Sequence, residues 1–499
     1  MALSLTRGGA SVLSVEEMYR AERLVVEQGV SSLQLMENAC HAVVSQVIRR
    51  WSPRPILVIC GPGNNGGDGL GVAILLRKLR WPIQVALLGP KKQYKGDART
   101  MVERWGQSFV PFETDQLEKT TLVVDALFGA GLNRPVRGRA RAMLEGAAEQ
   151  ELEILSIDMP SGIDGNTGEV LGFAVAASVT VTFFRPKVGH MLLPGRELSG
   201  ELVVSDIGIP KDVIATINPK QCVNGPDLWL DSWPQLSSDT HKYQRGHALV
   251  LGGNANSTGA GRLSAEAALR VGTGLVSVGA PQDALAVYGA QLTAVMICVL
   301  EDATDLQRLL HDKQLNAVLV GPGTGVNDQT KENVLMLLSK KKACVLDADA
   351  LTCFSDAPDI LFNQIQGSCV ITPHDGEYKR LFRFKGDRLV RARSAAKASG
   401  AVVLLKGGDC VVAAPDGRAA LLTNGTPDLA TAGSGDVLAG LVLGLLAQGC
   451  EPYIAACMAS WMHGEIGRRI GSGLVSEDLH HEIPEILGEL RLLRYLLRN

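Results

Sequence analysis

Apolar and polar positions along this chain fall into short buried-type runs separated by stretches with helical spacing. Residues 14–50 carry apolar side chains at intervals of three and four, which predicts an amphipathic helix pair. The run 55–60 then reads as a buried strand, followed by a glycine-rich loop and a helix over 69–79. Residues 83–88, 121–126, 153–158, 178–184 and 202–206 are further apolar runs of strand length. Such runs, apolar on successive residues, suit strands covered on both faces and hence parallel sheets. The pattern breaks over 210–234, where Asn218-Pro219, Gly225-Pro226 and Trp233-Pro234 interrupt any periodicity. A second series follows, with strands at 247–251, 275–279, 317–320, 343–346, 369–372 and 402–405. Residues 410–414 and 419–422, joined by Pro415-Asp416-Gly417-Arg418, read as a hairpin. An α/β chain of two domains, 1–218 and 219–499, is expected.

Composition narrows the class. A chain of 499 residues is long enough for two separate cores. Its net charge of -3 gives no reason to expect a nucleic-acid partner or a basic membrane patch. The ten cysteines form no C-x-x-C pair, so a reducing cytosol is expected and a structural zinc site is not. The first fourteen residues hold no apolar core of signal-peptide length, and the apolar helix 437–447 is too short to span a bilayer.

The candidate chemistry sits where strands end. Ala432-Gly433-Ser434-Gly435-Asp436 is a glycine turn leading straight into an apolar helix. Glycines let backbone amides converge, and a helix N-terminus attracts anions. An aspartate there repels an anion unless it serves as a base toward a hydroxyl attacking phosphorus. Asp436 as a favourable first-turn acid is the plain alternative. In the first half, Gly61-Pro62-Gly63-Asn64-Asn65-Gly66-Gly67-Asp68-Gly69 matches G-x-G-x-x-G literally. Yet the next strand ends in Gly89-Pro90 with no acidic residue for a ribose, and no Walker lysine follows. Asn64, Asn65 and Asp68 instead make the loop a place for a phosphate or a hard cation. Asp125 and Asp158 stand at two further strand ends, each followed by glycine-containing loops.

These segments carry a resemblance. The run 61–69, the segments 125–136 and 158–162, and Leu35-Met36-Glu37-Asn38-Ala39 resemble the epimerase domain of the NAD(P)H-hydrate repair enzymes. Cys40 departs from the glycine usual in that family. The resemblance spans residues 10 to 215 and implies a Rossmann-like three-layer α/β/α domain. It implies that Asn65, Asp125 and Ser161 bind potassium. It implies that Asn64, Asn65, Gly66, Gly67, Asp68, Gly129, Ala130, Gly131, Leu132, Asn133, Arg134, Pro135 and Asp158 hold the hydrated nucleotide. The hydrated carbon is a hemiaminal, so one acid/base group suffices to interconvert its R and S forms, and Asp158 is the candidate.

In the second half the Gly321-Pro322-Gly323-Thr324-Gly325, Asp347-Ala348-Asp349, Thr372-Pro373-His374, Leu405-Lys406-Gly407-Gly408 and 432–436 segments together resemble the ribokinase-like fold. With Gly259-Ala260-Gly261-Arg262 they are most similar to the ADP-dependent NAD(P)H-hydrate dehydratases, over residues 225–495. Ser434 stands where many ribokinase-like kinases have alanine. The resemblance implies adenine-nucleotide contacts at Lys406, Gly407, Gly408, Asp409, Cys410 and Gly435. It implies substrate contacts at Ala260, Gly323, His374 and Asp436 and ADP as co-substrate; Asp436 is the candidate base, and magnesium on the donor phosphates is expected, although no dedicated carboxylate pair for it stands out. Small-molecule substrates and a homo-oligomer are expected. The alternative is a small-molecule kinase fused to a non-catalytic RNA- or protein-binding module.

Overall fold

The computed structural model describes residues 11–498, in two compact units, residues 11–221 and 222–498. In the first unit six strands, β1 (Ile56–Cys60), β2 (Ile83–Leu87), β3 (Leu122–Ala126), β4 (Glu153–Ile157), β5 (Val179–Phe183) and β6 (Glu201–Ser205), form one sheet in the order β2-β1-β3-β4-β5-β6. All pairs are parallel. Alternate residues serve two helical layers, as a strand's two-residue period requires. Ile56, Val58 and Cys60 pack with Val43, Leu70 and Met101, while Leu57 and Ile59 pack with Met143 and Leu144. The first helix, Val15–Glu27, starts from a capping box in which Ser14 and Glu17 satisfy each other's backbone amides.

The polar segment 64–68 is not a loop ahead of a helix at 69, because the helix runs Asn64–Lys78. Gly66 and Gly67 cost helix propensity but are required by packing. A Cβ on Gly66 would overlap the Gly61 carbonyl oxygen, and one on Gly67 would sit 2.8 Å from the Met36 Cε and 2.9 Å from the Ala98 Cα. The helix end is thereby drawn down onto the tip of β1.

The second unit holds a ten-stranded sheet. Its strands are β7 (Gln221–Val223), β8 (His247–Leu251), β9 (Leu275–Ala280), β10 (Met296–Val299), β11 (Ala317–Val320), β12 (Ala343–Leu346), β13 (Cys369–Ile371), β14 (Val402–Leu405), β15 (Val411–Ala413) and β16 (Ala419–Leu421). The order is β10-β9-β8-β11-β12-β13-β14-β15-β16-β7. Pairing is parallel from β10 to β14 and antiparallel through the β14–β15–β16 meander. This is the α/β architecture with a parallel sheet expected of the second half. Strands β7 and β10 were not anticipated: β7 lies in the segment read as a break, and β10 is a half-exposed edge strand beginning at the exposed Met296.

The helix Ser434–Ala447 is buried along nearly its whole length. Gly440 and Gly444 let it close on the helix Thr258–Arg270, since a Cβ on either would press into Ser264, Ala268 or Val271. Among the described residues no helix is long and apolar enough to cross a membrane.

Candidate functional sites

In each sheet the chain reverses direction at one point, between β1 and β3 in the first and between β8 and β11 in the second. Loops at the carboxyl ends of strands diverge there and leave a crevice, the usual ligand position in open α/β sheets.

At the first switch point a cavity of about 430 Å³ opens. Asn64, Asn65, Asp68, Gly129, Ala130, Gly131, Leu132, Asn133, Arg134 and Asp158 all line it. Gly66 and Gly67 do not, because they face the protein interior, and Pro135 lies outside its wall. Gly129 is the crossing point: a Cβ there would stand 2.9 Å from the Asp158 Oδ2 and 3.4 Å from the Asn65 Oδ1.

Asp158 is held from every side. Its φ is +65°, a left-handed conformation that costs a non-glycine residue energy and is kept only by its surroundings. Its amide donates to the Val181 carbonyl at 2.8 Å, and its carbonyl bonds the His190 Nε2 at 2.8 Å. The other His190 nitrogen accepts from the Lys187 amide at 3.0 Å, so the ring is neutral with its proton on Nε2. Burial agrees, pushing His190 down to about 4. The Asp158 Oδ1 accepts from the Lys187 Nζ at 2.7 Å and from the Thr182 hydroxyl at 3.1 Å, and the Oδ2 from the Ala130 amide at 2.9 Å. Burial alone raises this carboxyl, but Lys187 and the Ala130 amide outweigh it and hold it down at about 2. Asp158 is therefore a carboxylate at any physiological pH. The sequence reading missed Lys187, which is almost fully buried, as well as Tyr19 and Glu22 from the first helix. A lysine four positions past an apolar strand and a polar pair on an amphipathic helix look like surface in the sequence.

Behind this cavity lies Asp125, fully buried at the end of β3. It accepts from the Ser161 hydroxyl at 2.7 Å and the Ser161 amide at 2.8 Å. Burial raises its carboxyl, opposed by those hydrogen bonds and by no cationic side chain. Both side-chain polar atoms of Asn65 are buried with no hydrogen-bond partner. An orphaned buried amide and a buried carboxyl with no cationic partner are features that a weakly charged hard cation would satisfy.

At the second switch point the predicted residues are tied together by short links. The Ser257 hydroxyl donates to the Gly323 carbonyl at 3.0 Å, joining the loops after β8 and β11. The Ser264 hydroxyl lies 2.9 Å from both the Ala260 and the Asp436 carbonyls. Lys406, at the end of β14, pairs with Asp347 at 2.7 Å, and a side chain on Gly435 would begin 3.5 Å from that ammonium. Lys406 loses to desolvation but gains more from Asp347 and Glu377, so its ammonium form is favoured. Asp436 is pushed up to about 6, first by burial and then by Asp347, against the opposing pull of Lys406. His463, neutral because burial lowers it to about 4, bonds Ser434 within the turn.

The remaining predicted residues are placed as follows. His374 caps the helix Asp375–Leu381, its Nδ1 accepting from the Gly376 and Glu377 amides at 2.9 and 3.3 Å, and its outer edge is exposed. Asp375 pairs with Arg388, which also pairs with Asp409 at 2.6 Å and donates to the Lys406 carbonyl at 3.0 Å. Arg388 thus clasps the His374 turn to the loop 406–410. Gly407 and Gly408 are exposed, whereas the Cys410 side chain belongs to the core, leaving only its backbone for a ligand.

Known proteins resemble both halves of the chain. The model of the NAD(P)H-hydrate dehydratase family matches residues 248–487, and that of the YjeF-related protein N-terminus matches residues 32–189. The bifunctional NAD(P)H-hydrate repair enzyme Nnr of Moorella thermoacetica is 34% identical over 96% of this chain and 97% of its own. That of Coxiella burnetii is 33% identical over 92% and 95%. Among solved structures, the ADP/ATP-dependent NAD(P)H-hydrate dehydratase of Bacillus subtilis, co-crystallized with ATP/Mg2+, is 25% identical, with a TM-score of 0.48 over 54% of this chain and 98% of its own.

Proposed function

Because the chain belongs to the bifunctional NAD(P)H-hydrate repair enzymes, we propose a residue-level division of its two reactions. The chain repairs hydrated NADH and NADPH: one activity epimerises the R and S hydrates, and the other dehydrates the S hydrate. We place epimerisation in residues 1–218 and dehydration in residues 219–499, with ADP as co-substrate and AMP and phosphate as products.

In the dehydratase site the supporting observation is Asp436, a carboxyl near 6 at a helix N-terminus beside the Lys406 ammonium. Asp436 takes the proton from the hydrate's hydroxyl, whose oxygen attacks the terminal phosphorus of ADP. The helix N-terminus and Lys406 stabilise the transferring group's charge. The loop 406–410 holds the nucleotide, and Ala260, Gly323 and His374 hold the hydrate. The phosphorylated carbon adjoins the ring nitrogen, whose lone pair expels phosphate and restores the dihydronicotinamide. For magnesium the protein side offers little: among the described residues no group of three or more His, Cys, Asp or Glu side chains suits a metal, and Asp347 is engaged by Lys406.

Only ionised Asp436 accepts a proton. The dehydration rate is therefore expected to climb about tenfold per pH unit below the Asp436 transition and to level off above about 6. A kcat/KM profile on the S hydrate checks this, and a rate independent of pH from about 5 to 8 would remove Asp436 as the base. The function itself is tested by giving pure R and pure S hydrate to the enzyme with ADP and, separately, ATP. NADH absorbance returns with release of AMP and phosphate, whereas a stable phosphoester means a small-molecule kinase.

In the epimerase site Asn65, Asp125 and Ser161 would hold potassium, which supplies the positive charge that the buried Asp125 carboxylate lacks. Potassium at ten times its dissociation constant contributes about 1.4 kcal/mol to the folded state, or about 3–6 °C in the melting temperature of a domain this size. That shift is expected in the full chain with potassium over lithium at equal ionic strength, and is expected to vanish in Asp125→Asn. Equal shifts in both proteins refute the assignment. A cytosolic homo-oligomer completes the reading.

A further inference from the structure

We propose that Glu22, on the helix Val15–Glu27, is the group that exchanges a proton with the hydrate's hydroxyl during epimerisation. The inference rests on the cavity at Asp158 being the epimerase site.

Epimerisation needs a proton at the right oxygen. A Glu22 carboxyl gives its proton to the hydroxyl on the hydrated carbon as the carbon–oxygen bond breaks. The ring-nitrogen lone pair fills the vacated position, leaving an iminium, a water and a Glu22 carboxylate. The iminium then turns its other face to the released water, which adds to the carbon on the Glu22 side and returns a proton to Glu22. Atoms and charge balance with no further reactant.

Asp158 is poorly suited to this exchange. Three donors, the Lys187 ammonium, the Thr182 hydroxyl and the Ala130 amide, already occupy its two oxygens, and they stabilise the charged form. A carboxylate so fastened orients and attracts a cationic intermediate but does not carry a proton near neutrality. Glu22 faces the same cavity from the opposite element. Val15, Met18, Tyr19 and Glu22 share one face of their helix, at spacings of three and four, and all line the cavity. The groups facing Glu22 are Tyr19 and Arg23 on its own helix, Lys187 after β5, Asp158 after β4 and Asp68 on the helix Asn64–Lys78. Burial pushes the Glu22 carboxyl up to about 6, with Lys187 opposing and Asp158 adding to the shift. That places its transition where proton donation and return are both feasible. Asp68 is the one other carboxyl on the cavity wall raised by burial, so it is the competitor to exclude.

The test uses the full chain as Glu22→Gln, Glu22→Asp, Asp68→Asn and Asp158→Asn, with R-to-S conversion followed from about pH 5 to 9. The wild-type rate is expected to be level below the Glu22 transition and to fall above it. Glu22→Gln is expected to lower the rate about 10²-fold, to erase that fall, and to leave the dissociation constant for the hydrate within about twofold. Glu22→Asp recovers part of the rate with the fall displaced. A wild-type rate in Glu22→Gln overturns the proposal, as does a lower rate with an unchanged pH profile, which marks a structural role. So does loss of the fall in Asp68→Asn alone. If Asp158→Asn also converts at the wild-type rate, the cavity is not the epimerase site. If Asp158→Asn is inactive and Glu22→Gln is normal, Glu22 alone is rejected.

Discussion

Asp436→Asn is expected to lower ADP-dependent dehydration of the S hydrate about 10³-fold while R-to-S conversion in the same sample continues at the wild-type rate. The substitution keeps the size of the side chain and removes its capacity to take a proton. The turn should survive it, because the Asp436 carbonyl, not its carboxylate, holds the Ser264 hydroxyl at 2.9 Å. Neighbouring Ser476 likewise bonds the Ala432 carbonyl at 2.6 Å through the backbone of the turn. Removing a carboxylate also lessens repulsion toward ADP, so nucleotide affinity should hold or rise. The measurement is return of NADH absorbance from pure S hydrate, with ADP affinity from calorimetry. Activity within about threefold of wild type removes Asp436 from the chemistry. Weak ADP binding together with lost activity would instead point to a damaged turn.

The second large effect concerns Asp158 and Lys187, and it separates catalysis from folding. Asp158→Ala strands the Lys187 ammonium, whose side chain is 2% exposed, without its carboxylate. Breaking a buried pair from one side costs about 3–5 kcal/mol, so loss of epimerisation in that variant is ambiguous. Asp158→Asn combined with Lys187→Met removes both charges at similar volume. Unfolding monitored by denaturant is expected to show Asp158→Ala strongly destabilised and the double variant near wild type. Both are expected to lose R-to-S conversion by about 10²-fold or more, with dehydration of the S hydrate retained. Conversion at the wild-type rate in the stable double variant excludes Asp158 from the site. The pair has a definite pH signature. Asp158 falls from its ordinary 3.8 to about 2 on folding, a difference of about 2 kcal/mol. That contribution is complete above the ordinary value and is lost only as pH drops through about 2.

Much of this fold is legible in the amino-acid sequence. The strands β1, β3, β4, β8, β11 and β14 are apolar on both faces, so the runs stand out without alternation, and each ends in the glycine or acidic residues that a crevice uses. The 432–436 turn stands out because glycines and an aspartate lead straight into an apolar helix, although a plain helix start shares that pattern. What stayed hidden depends on contacts between distant residues. Gly66 and Gly67 argue against helix locally, and only the approach of Gly61, Met36 and Ala98 makes them helical. Lys187 meets Asp158 across 29 positions, so no spacing rule connects them. Glu22 lies on an amphipathic helix whose polar residues normally face water. In the second unit Ser264 and Arg388 are ordinary helix residues until the fold sets them against Asp436 and the loop 406–410.

The helix Ser434–Ala447 has a consequence for motion. A helix buried from Val437 to Ala447 and locked to Thr258–Arg270 through glycine contacts keeps the backbone amides of that stretch from solvent except by large-scale unfolding. The base it carries is then anchored to the slowest-opening part of the domain. Adjustment between empty, nucleotide-bound and product-bound states falls to exposed segments such as Gly407 and Gly408, on their faster timescale. The turnover limit set by such segments would respond to solvent viscosity, whereas the proton-accepting geometry would not.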